Sequence, residues 1–182
     1  MKKEAIRKIY KQKRRELSEN QRRNFQENIY QQIYSLDISK VKNVHLFLSL
    51  TKFNEIDTKP IIAFFRNKKK KIVVSKCNFE NNSLSHFYLE GNTLLELNKF
   101  GVPEPVNAEQ VSENELDIIF VPMYVSDKKK YRVGYGKGFY DRFLSNCKKE
   151  AKFIGLNFFK PIDQIEDVNE FDIALHQVIY PK

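Results

Sequence analysis

Residues 117–142 read DIIFVPMYVSDKKKYRVGYGKGFYDR. The first nine, Asp117–Val125, carry the strongest strand signal in the chain, a short apolar run with polar residues on both sides. A loop rich in Lys and Gly follows, and Phe139–Lys149 has the pattern of a helix. Strand, loop and helix in that order put Gly134, Gly136 and Gly138 at the carboxyl end of a strand, the usual ligand edge of an open α/β sheet. The chain has six glycines, against the ~13 expected at roughly 7% usage, yet three fall within five residues. Glycine is costly to order, so this crowding calls for bare backbone. Bare N–H groups beside a helix N-terminus can surround phosphate oxygens, and Arg132 and Lys137 add positive charge. GYGKG fits neither GxGxxG nor GxxxxGK[ST], so the common dinucleotide and P-loop readings fail. Two alternatives stay open for this loop: an anion site, or a tight turn with Asp141 set against the helix dipole. Asp141 could equally offer an oxygen to Mg²⁺, which commonly takes only one or two protein carboxylates.

Outward from this stretch, helices alternate with strands. Ile6, Ile9, Tyr10 and Leu17 predict a helix over 3–17, with Lys3, Arg7, Lys11 and Arg14 on its other faces. Ser18 and Gln21 form a capping box opening a second helix that carries Phe25, Ile29, Ile33 and Leu36. Val44–Leu50 reads as a buried strand, and Thr58-Lys59-Pro60 opens a helix through Phe65, capped by Asp57 or Thr58. KIVVS (71–75), SLSHFYL (83–89), KFIGLNF (152–158) and DIALHQVIY (172–180) read as further strands, and GVPEP (101–105) as a rigid extended connection. The expectation is one α/β domain over 1–182, an open and mostly parallel sheet flanked by helices, with basic helices over 2–36 packed on it.

Composition narrows the partners. The net charge is +9, and residues 1–42 alone hold 12 Lys+Arg and 5 Asp+Glu, a net of +7. An anionic partner, or a solvated basic helix face, would explain that head. No run approaches the ~20 apolar residues of a membrane span, and the N-terminus lacks a secretory h-region. The two cysteines, Cys77 and Cys147, lie far apart, which suits a reducing, cytoplasmic compartment.

No nucleophile–base order stands out, so covalent catalysis by the protein is not expected. His45 and His86 sit in strand-like runs and read as core or surface residues rather than ligands. Glu55, after the first strand, could face the same sheet edge and hydrogen-bond an amide-like ring edge, or lie on the surface before a helix. Tyr124, Tyr131, Tyr135, Phe139 and Tyr140 crowd the glycine loop and could stack a flat heterocycle or pack the core.

The motif R132-V-G-Y-G-K-G-F-Y-D-R-F-L144 after FVP122 resembles the signature of the 5-formyltetrahydrofolate cyclo-ligases. The resemblance spans nearly the whole chain: Lys3 to Arg7 as KxxxR, LS near 18, EIDT at 55–58 and VPEP at 102–105. It implies a three-layer α/β fold like that of sugar-phosphate isomerases and CoA-transferases. It also implies ATP- and Mg²⁺-dependent conversion of 5-formyltetrahydrofolate, with or without a polyglutamate tail, to 5,10-methenyltetrahydrofolate. The sequence does not set the oligomeric state; a monomer with neither nucleic-acid nor membrane partner is the expectation. By that resemblance Lys3, Arg7 and Arg132, Val133, Gly134, Tyr135, Gly136, Lys137, Gly138, Phe139 and Tyr140 meet ATP. Leu50, Glu55 and Tyr135 to Phe139 meet the folate. Asp141 matches the magnesium aspartate, and Lys137 and Arg132 would act in catalysis. Two places depart from the pattern. LSLTKFNE before and including Glu55 is longer than in many members, which lets Leu50 slip by a residue. His176 stands where members often have an acidic residue, and histidine is a poor Mg²⁺ ligand, so no metal is assigned to it.

Two rival readings share these features. One is another phosphate-handling α/β enzyme, a sugar-phosphate isomerase or CoA-transferase relative that needs no ATP. The other is a nucleic-acid binder using the basic head, against which no binding module is visible.

Overall fold

The computed structural model describes residues 1–182, except for the side chain of Thr51. Helices α1 (Lys3–Glu16) and α2 (Glu19–Tyr34) come first. Between them the Ser18 hydroxyl accepts from the Gln21 N–H while the Gln21 side chain accepts from the Ser18 N–H, the reciprocal cap that the sequence predicts. Strand β1 (Asn43–His45) leads to α3 (Lys59–Asn67), with Pro60 in the first turn where no N–H is needed. Next come β2 (Lys71–Asn78), β3 (Ser83–Tyr88), β4 (Leu94–Leu97), β5 (Pro103–Val106) and β6 (Gln110–Val111). The last part holds β7 (Ile118–Pro122), β8 (Val125–Ser126), β9 (Arg132–Val133), α4 (Phe139–Ser145), β10 (Lys152–Leu156) and β11 (Gln177–Ile179).

Seven strands form the main sheet in the order β11-β10-β7-β1-β2-β3-β6. Every pairing from β11 to β2 is parallel, and β3 and β6 add antiparallel edges. Side chains alternate between its two faces. Val44, Ile72, Val74, Ile118, Phe120, Ile154 and Leu156 face one way, against Ile29 and Ile33 of α2 and Ile61 and Phe65 of α3. Val73, Ile119, Val121 and Phe153 face the other, against Phe143 and Leu144 of α4. Burying both faces of the central strands explains why β7 reads as a near-continuous apolar run.

Several expected elements are shorter, because side-chain or loop acceptors capture the backbone. β1 ends at His45 rather than Leu50. Leu46 still donates to the Val73 carbonyl at 2.9 Å, but the Leu50 N–H is taken by the Glu55 carboxylate. α4 stops at Ser145 instead of Lys149, as the Asn146 and Cys147 N–H groups tighten onto carbonyls three residues back. The tail forms only β11, since Leu175 and His176 donate to Lys130 and Phe153. GVPEP is no mere connector: Pro103–Val106 pairs with β4 in a two-stranded sheet. The glycine loop does not follow β7 directly. The β8–β9 hairpin stands between, turning at Asp127, whose carboxylate accepts from the Tyr131 N–H and whose carbonyl accepts from the Lys130 N–H.

Candidate active site

A cavity of about 1090 Å³ opens at the carboxyl end of the parallel strands, where an α/β sheet binds its ligands. The loop after β1 gives one wall with Phe47, Leu50 and Glu55; the glycine loop with Tyr135, Gly136 and Lys137 gives another. Lys3 and Arg7 of α1 reach in from the side, as do Asp172 and Ile173 from the segment before β11. Residues far apart in sequence therefore meet at the sheet edge where the glycine loop lies.

The glycine loop joins β9 to α4 with Gly136 at φ +94° and Gly138 at φ +70°, left-handed values that favour glycine. A Cβ on Gly136 would lie 3.0 Å from the Arg7 guanidinium carbon, and Arg7 Nε donates to the Gly134 carbonyl at 2.9 Å. Gly134 has open space where its Cβ would be. Among the described residues, none accepts from the backbone N–H groups of residues 135–138. α4 is only seven residues long, so its dipole adds little beside these N–H groups and the nearby cations.

Those cations differ in freedom. The Lys3 ammonium is paired with Asp172 at 2.5 Å. Arg132 is buried; it donates to Asp141 at 2.6 Å and to the Ile173 carbonyl at 2.6 Å, so it braces the site instead of standing at its mouth. Arg7 keeps both terminal nitrogens, and Lys137 rests on aromatic rings, 5.1 Å from the centroid of Phe79 and 5.8 Å from that of Phe100. Arg142 Nη1 donates to the Lys137 carbonyl at 3.1 Å. Of the residues expected to meet a ligand, Lys3, Arg7, Leu50, Glu55, Arg132, Gly134 to Tyr140 and Asp141 all line the cavity. Val133 does not: it is buried in β9, and its carbonyl accepts from the Tyr124 N–H.

Asp141 is more than a helix-start residue. Its Oδ1 accepts from Arg132 and, at 3.1 Å, from the Ile173 N–H, which leaves Oδ2 for a ligand. Among the described residues no group of three His, Cys, Asp or Glu side chains is placed to hold a metal. One open carboxylate oxygen suits Mg²⁺ held chiefly by phosphate oxygens and water. His176 lies before β11, outside the cavity wall, with its Nδ1 accepting from the Phe153 N–H.

Beside the glycine loop, Glu55 is held by two donors. Leu50 N–H donates to Oε2 at 2.7 Å and the Tyr135 hydroxyl donates to Oε1. Burial raises the Glu55 carboxyl above its usual range, opposed by these hydrogen bonds and by Arg14. Burial likewise raises the Tyr135 and Tyr140 phenols, keeping both neutral donors.

At the floor, which Ser75 and His45 line, Ser75 Oγ lies 2.7 Å from His45 Nε2 and 3.0 Å from His86 Nδ1. Both rings are buried, as expected of core histidines. The single hydroxyl hydrogen can serve only one of them, so the other must donate to Ser75. The Glu113 carboxylate, 3.7 Å from His86 Nε2, favours a hydrogen on that nitrogen, which makes His86 Nδ1 the acceptor and His45 Nε2 the donor. Burial holds His86 down to about 4 and His45 well below its ordinary range.

Arg14, Ser75, Phe79, Phe100 and Asp172 were not singled out by sequence. Arg14 was expected away from the apolar face of α1, but it lies on the buried face, where Ile6, Tyr10 and Arg14 recur every four residues and the guanidinium finds aromatic and phenol partners.

Comparison with known proteins decides the family. The sequence model described as the 5-formyltetrahydrofolate cyclo-ligase family matches residues 1–181. The chain belongs to that family. A 5-formyltetrahydrofolate cyclo-ligase of Haemophilus influenzae is 32% identical over 145 residues, covering 77% of this chain and 76% of the relative. One from Mus musculus is 28% identical over 150 residues, covering 76% and 73%. The solution structure of Aquifex aeolicus 5,10-methenyltetrahydrofolate synthetase superposes with a TM-score of 0.84 at 30% identity, covering all of this chain and 91% of that one. A Mycoplasma pneumoniae 5,10-methenyltetrahydrofolate synthetase, 22% identical, shares the fold with a TM-score of 0.78 over 98% of each chain. Membership makes this cyclo-ligase an enzyme, its sheet and flanking helices those of the family. No helix is long and apolar enough to cross a membrane.

Proposed function

We propose that the cavity closes the ring of 5-formyltetrahydrofolate to 5,10-methenyltetrahydrofolate, with ATP as the phosphoryl donor and ADP and phosphate released. The observation that carries this reading is the set of groups gathered in one cavity of a member of this family. The uncommitted N–H groups of residues 135–138, Arg7 and Lys137 line the same cavity as Glu55, which the Tyr135 hydroxyl ties to that loop.

A formyl group on nitrogen is an amide, and its oxygen is a very poor leaving group. Transfer of the terminal phosphoryl group to that oxygen makes an imidate phosphate. The N10 lone pair then attacks the formyl carbon, the C–O bond breaks, phosphate departs, and the N10 proton is lost. Phosphoryl transfer asks chiefly for alignment and charge stabilisation. In this reading the N–H groups of residues 135–138 surround the phosphates, Arg7 and Lys137 balance their charge, and Arg132 holds the wall rigid. Asp141, through its open oxygen, would hold Mg²⁺, which on binding supplies further neutralisation of the phosphate oxygens. Glu55 accepts from the paired N–H donors of the pteridine edge, and Phe79, Phe100 and Phe139 offer apolar contact to flat rings. No side-chain nucleophile is needed. Burial pushes the Cys77 thiol, which lines the cavity, up to about 11, so it stays protonated and inert.

The direct test follows methenyl-folate absorbance with purified protein, with and without ATP and with and without Mg²⁺. Product that forms only with all three components supports the reading; no product with all three present sinks it.

A further inference from the structure

Arg14 lies on α1 seven residues after Arg7 and points inward, where a polar side chain needs a partner. Only 5% of it is exposed. Its guanidinium sits 4.2 Å from the centroid of the Tyr124 ring, and its Nη2 donates to the Tyr135 hydroxyl oxygen at 3.0 Å. A guanidinium can only donate, so the phenol oxygen is the acceptor there. The one phenol hydrogen is therefore free to point at Glu55 Oε1. Since Oε2 already faces the Leu50 N–H, a neutral Glu55 would have to turn its own hydrogen against one of two donors. The arrangement selects the anion, and each oxygen keeps a second lone pair for the cavity.

We propose that Arg14 is a positioning residue for the folate: through the Tyr135 hydroxyl it holds Glu55 ionised and oriented to accept paired N–H donors. The inference rests on Glu55 facing the folate. Arg14 and Tyr135 are the charged and titratable groups bearing on Glu55 from α1 and the glycine loop, and the neutral Tyr140 phenol feels its charge from α4. Burial already raises the Glu55 carboxyl, and Arg14 is the one positive charge that pulls it back. Removing Arg14 leaves burial unopposed by any cation, so Glu55 takes a proton at higher pH.

The test measures kcat/KM for 5-formyltetrahydrofolate against pH at saturating ATP, for the wild type, R14M, R14K and Y135F. In R14M and Y135F the acid limb moves upward by about one pH unit, so that below it folate kcat/KM falls roughly tenfold. The KM for ATP changes much less, and R14K restores most of the limb. Should R14M fail to fold, R14K and R14Q decide between them, since both keep a long polar side chain and only R14K keeps the charge. An acid limb that stays in place in every folded variant overturns the proposal. A ¹³C NMR titration of the Glu55 carboxyl in the same proteins needs no turnover. A wild type that makes no methenyl product refutes the assigned reaction, whereas an unmoved Glu55 titration refutes only the role of Arg14.

Discussion

The Arg132 guanidinium and the Asp141 carboxylate meet at 2.6 Å, tying the end of the β8–β9 hairpin to the first turn of α4. Both also grip residue 173, Arg132 through the Ile173 carbonyl and Asp141 through its N–H. The pair thus closes one wall from three segments. Truncation in Asp141→Ala takes from the buried guanidinium its hydrogen-bonded counter-charge, leaving only the more distant Asp172, at a loss of about 3 kcal/mol and roughly 5–10 °C in Tm. Asp141→Asn keeps an acceptor and loses less. Thermal melts of both, with a Mg²⁺ titration of turnover in Asp141→Asn, separate bracing from metal binding. A Tm unchanged in Asp141→Ala contradicts the bracing role.

Lys137 is exposed and makes no ion pair among the described residues; it rests on Phe79 and Phe100. Lys137→Ala is expected to lower turnover about 100-fold while shifting Tm by no more than about 1 °C. An unchanged rate at saturating ATP removes Lys137 from the list of groups that stabilise the transferring phosphoryl group.

Gly134 and Gly136 are two residues apart yet should respond differently to alanine. A methyl on Gly134 meets open space, so Tm should hold while the KM for ATP rises if phosphate packs against that backbone. A methyl on Gly136 meets the Arg7 guanidinium and a φ of +94°, a loss of at least about 1 kcal/mol in stability as well as in nucleotide affinity. Melting curves and nucleotide titrations of the two variants check the contrast.

The buried histidines make stability depend on pH. Their pKa values are lower folded than unfolded, so below an unfolded value of about 6.5 the unfolded chain binds protons that the folded chain refuses. Stability therefore falls as pH drops from about 6.5, by up to about 1.4 kcal/mol per pH unit for each ring. The contribution of His86 levels off near its folded value of about 4. Denaturant melts between pH 7 and 4.5 should show this slope, and a His86→Gln variant should flatten it. Equal slopes in both proteins rule out His86 as the source.

Much of the scaffold can be read before folding because local physics dominates there. The Ser18–Gln21 cap, the apolar spacing of α2 and the run Ile118–Pro122 each encode their own conformation. The crowded glycines marked an unusual loop because left-handed backbone, seen at Gly136 and Gly138, favours that residue. What escaped depends on distant partners. β8 and β9 have two residues each and exist through pairing with one another; β4, fully exposed, is a strand only because β5 lies beside it. Val133 shares the motif but lies behind the wall, because alternation along β9 turns it away. Arg132 looked like a free charge until Asp141 and Ile173 closed around it.

Lys3 and Asp172, which face each other in the cavity, are separated by 169 positions along the chain. A nascent polypeptide that has already made its glycine loop still lacks the wall built by residues 169–173, so the pocket is whole only once nearly everything else is in place. Bound ligand accordingly acts as a brake on escape from the native state: survival under protease challenge lengthens, while the refolding rate from denaturant stays the same.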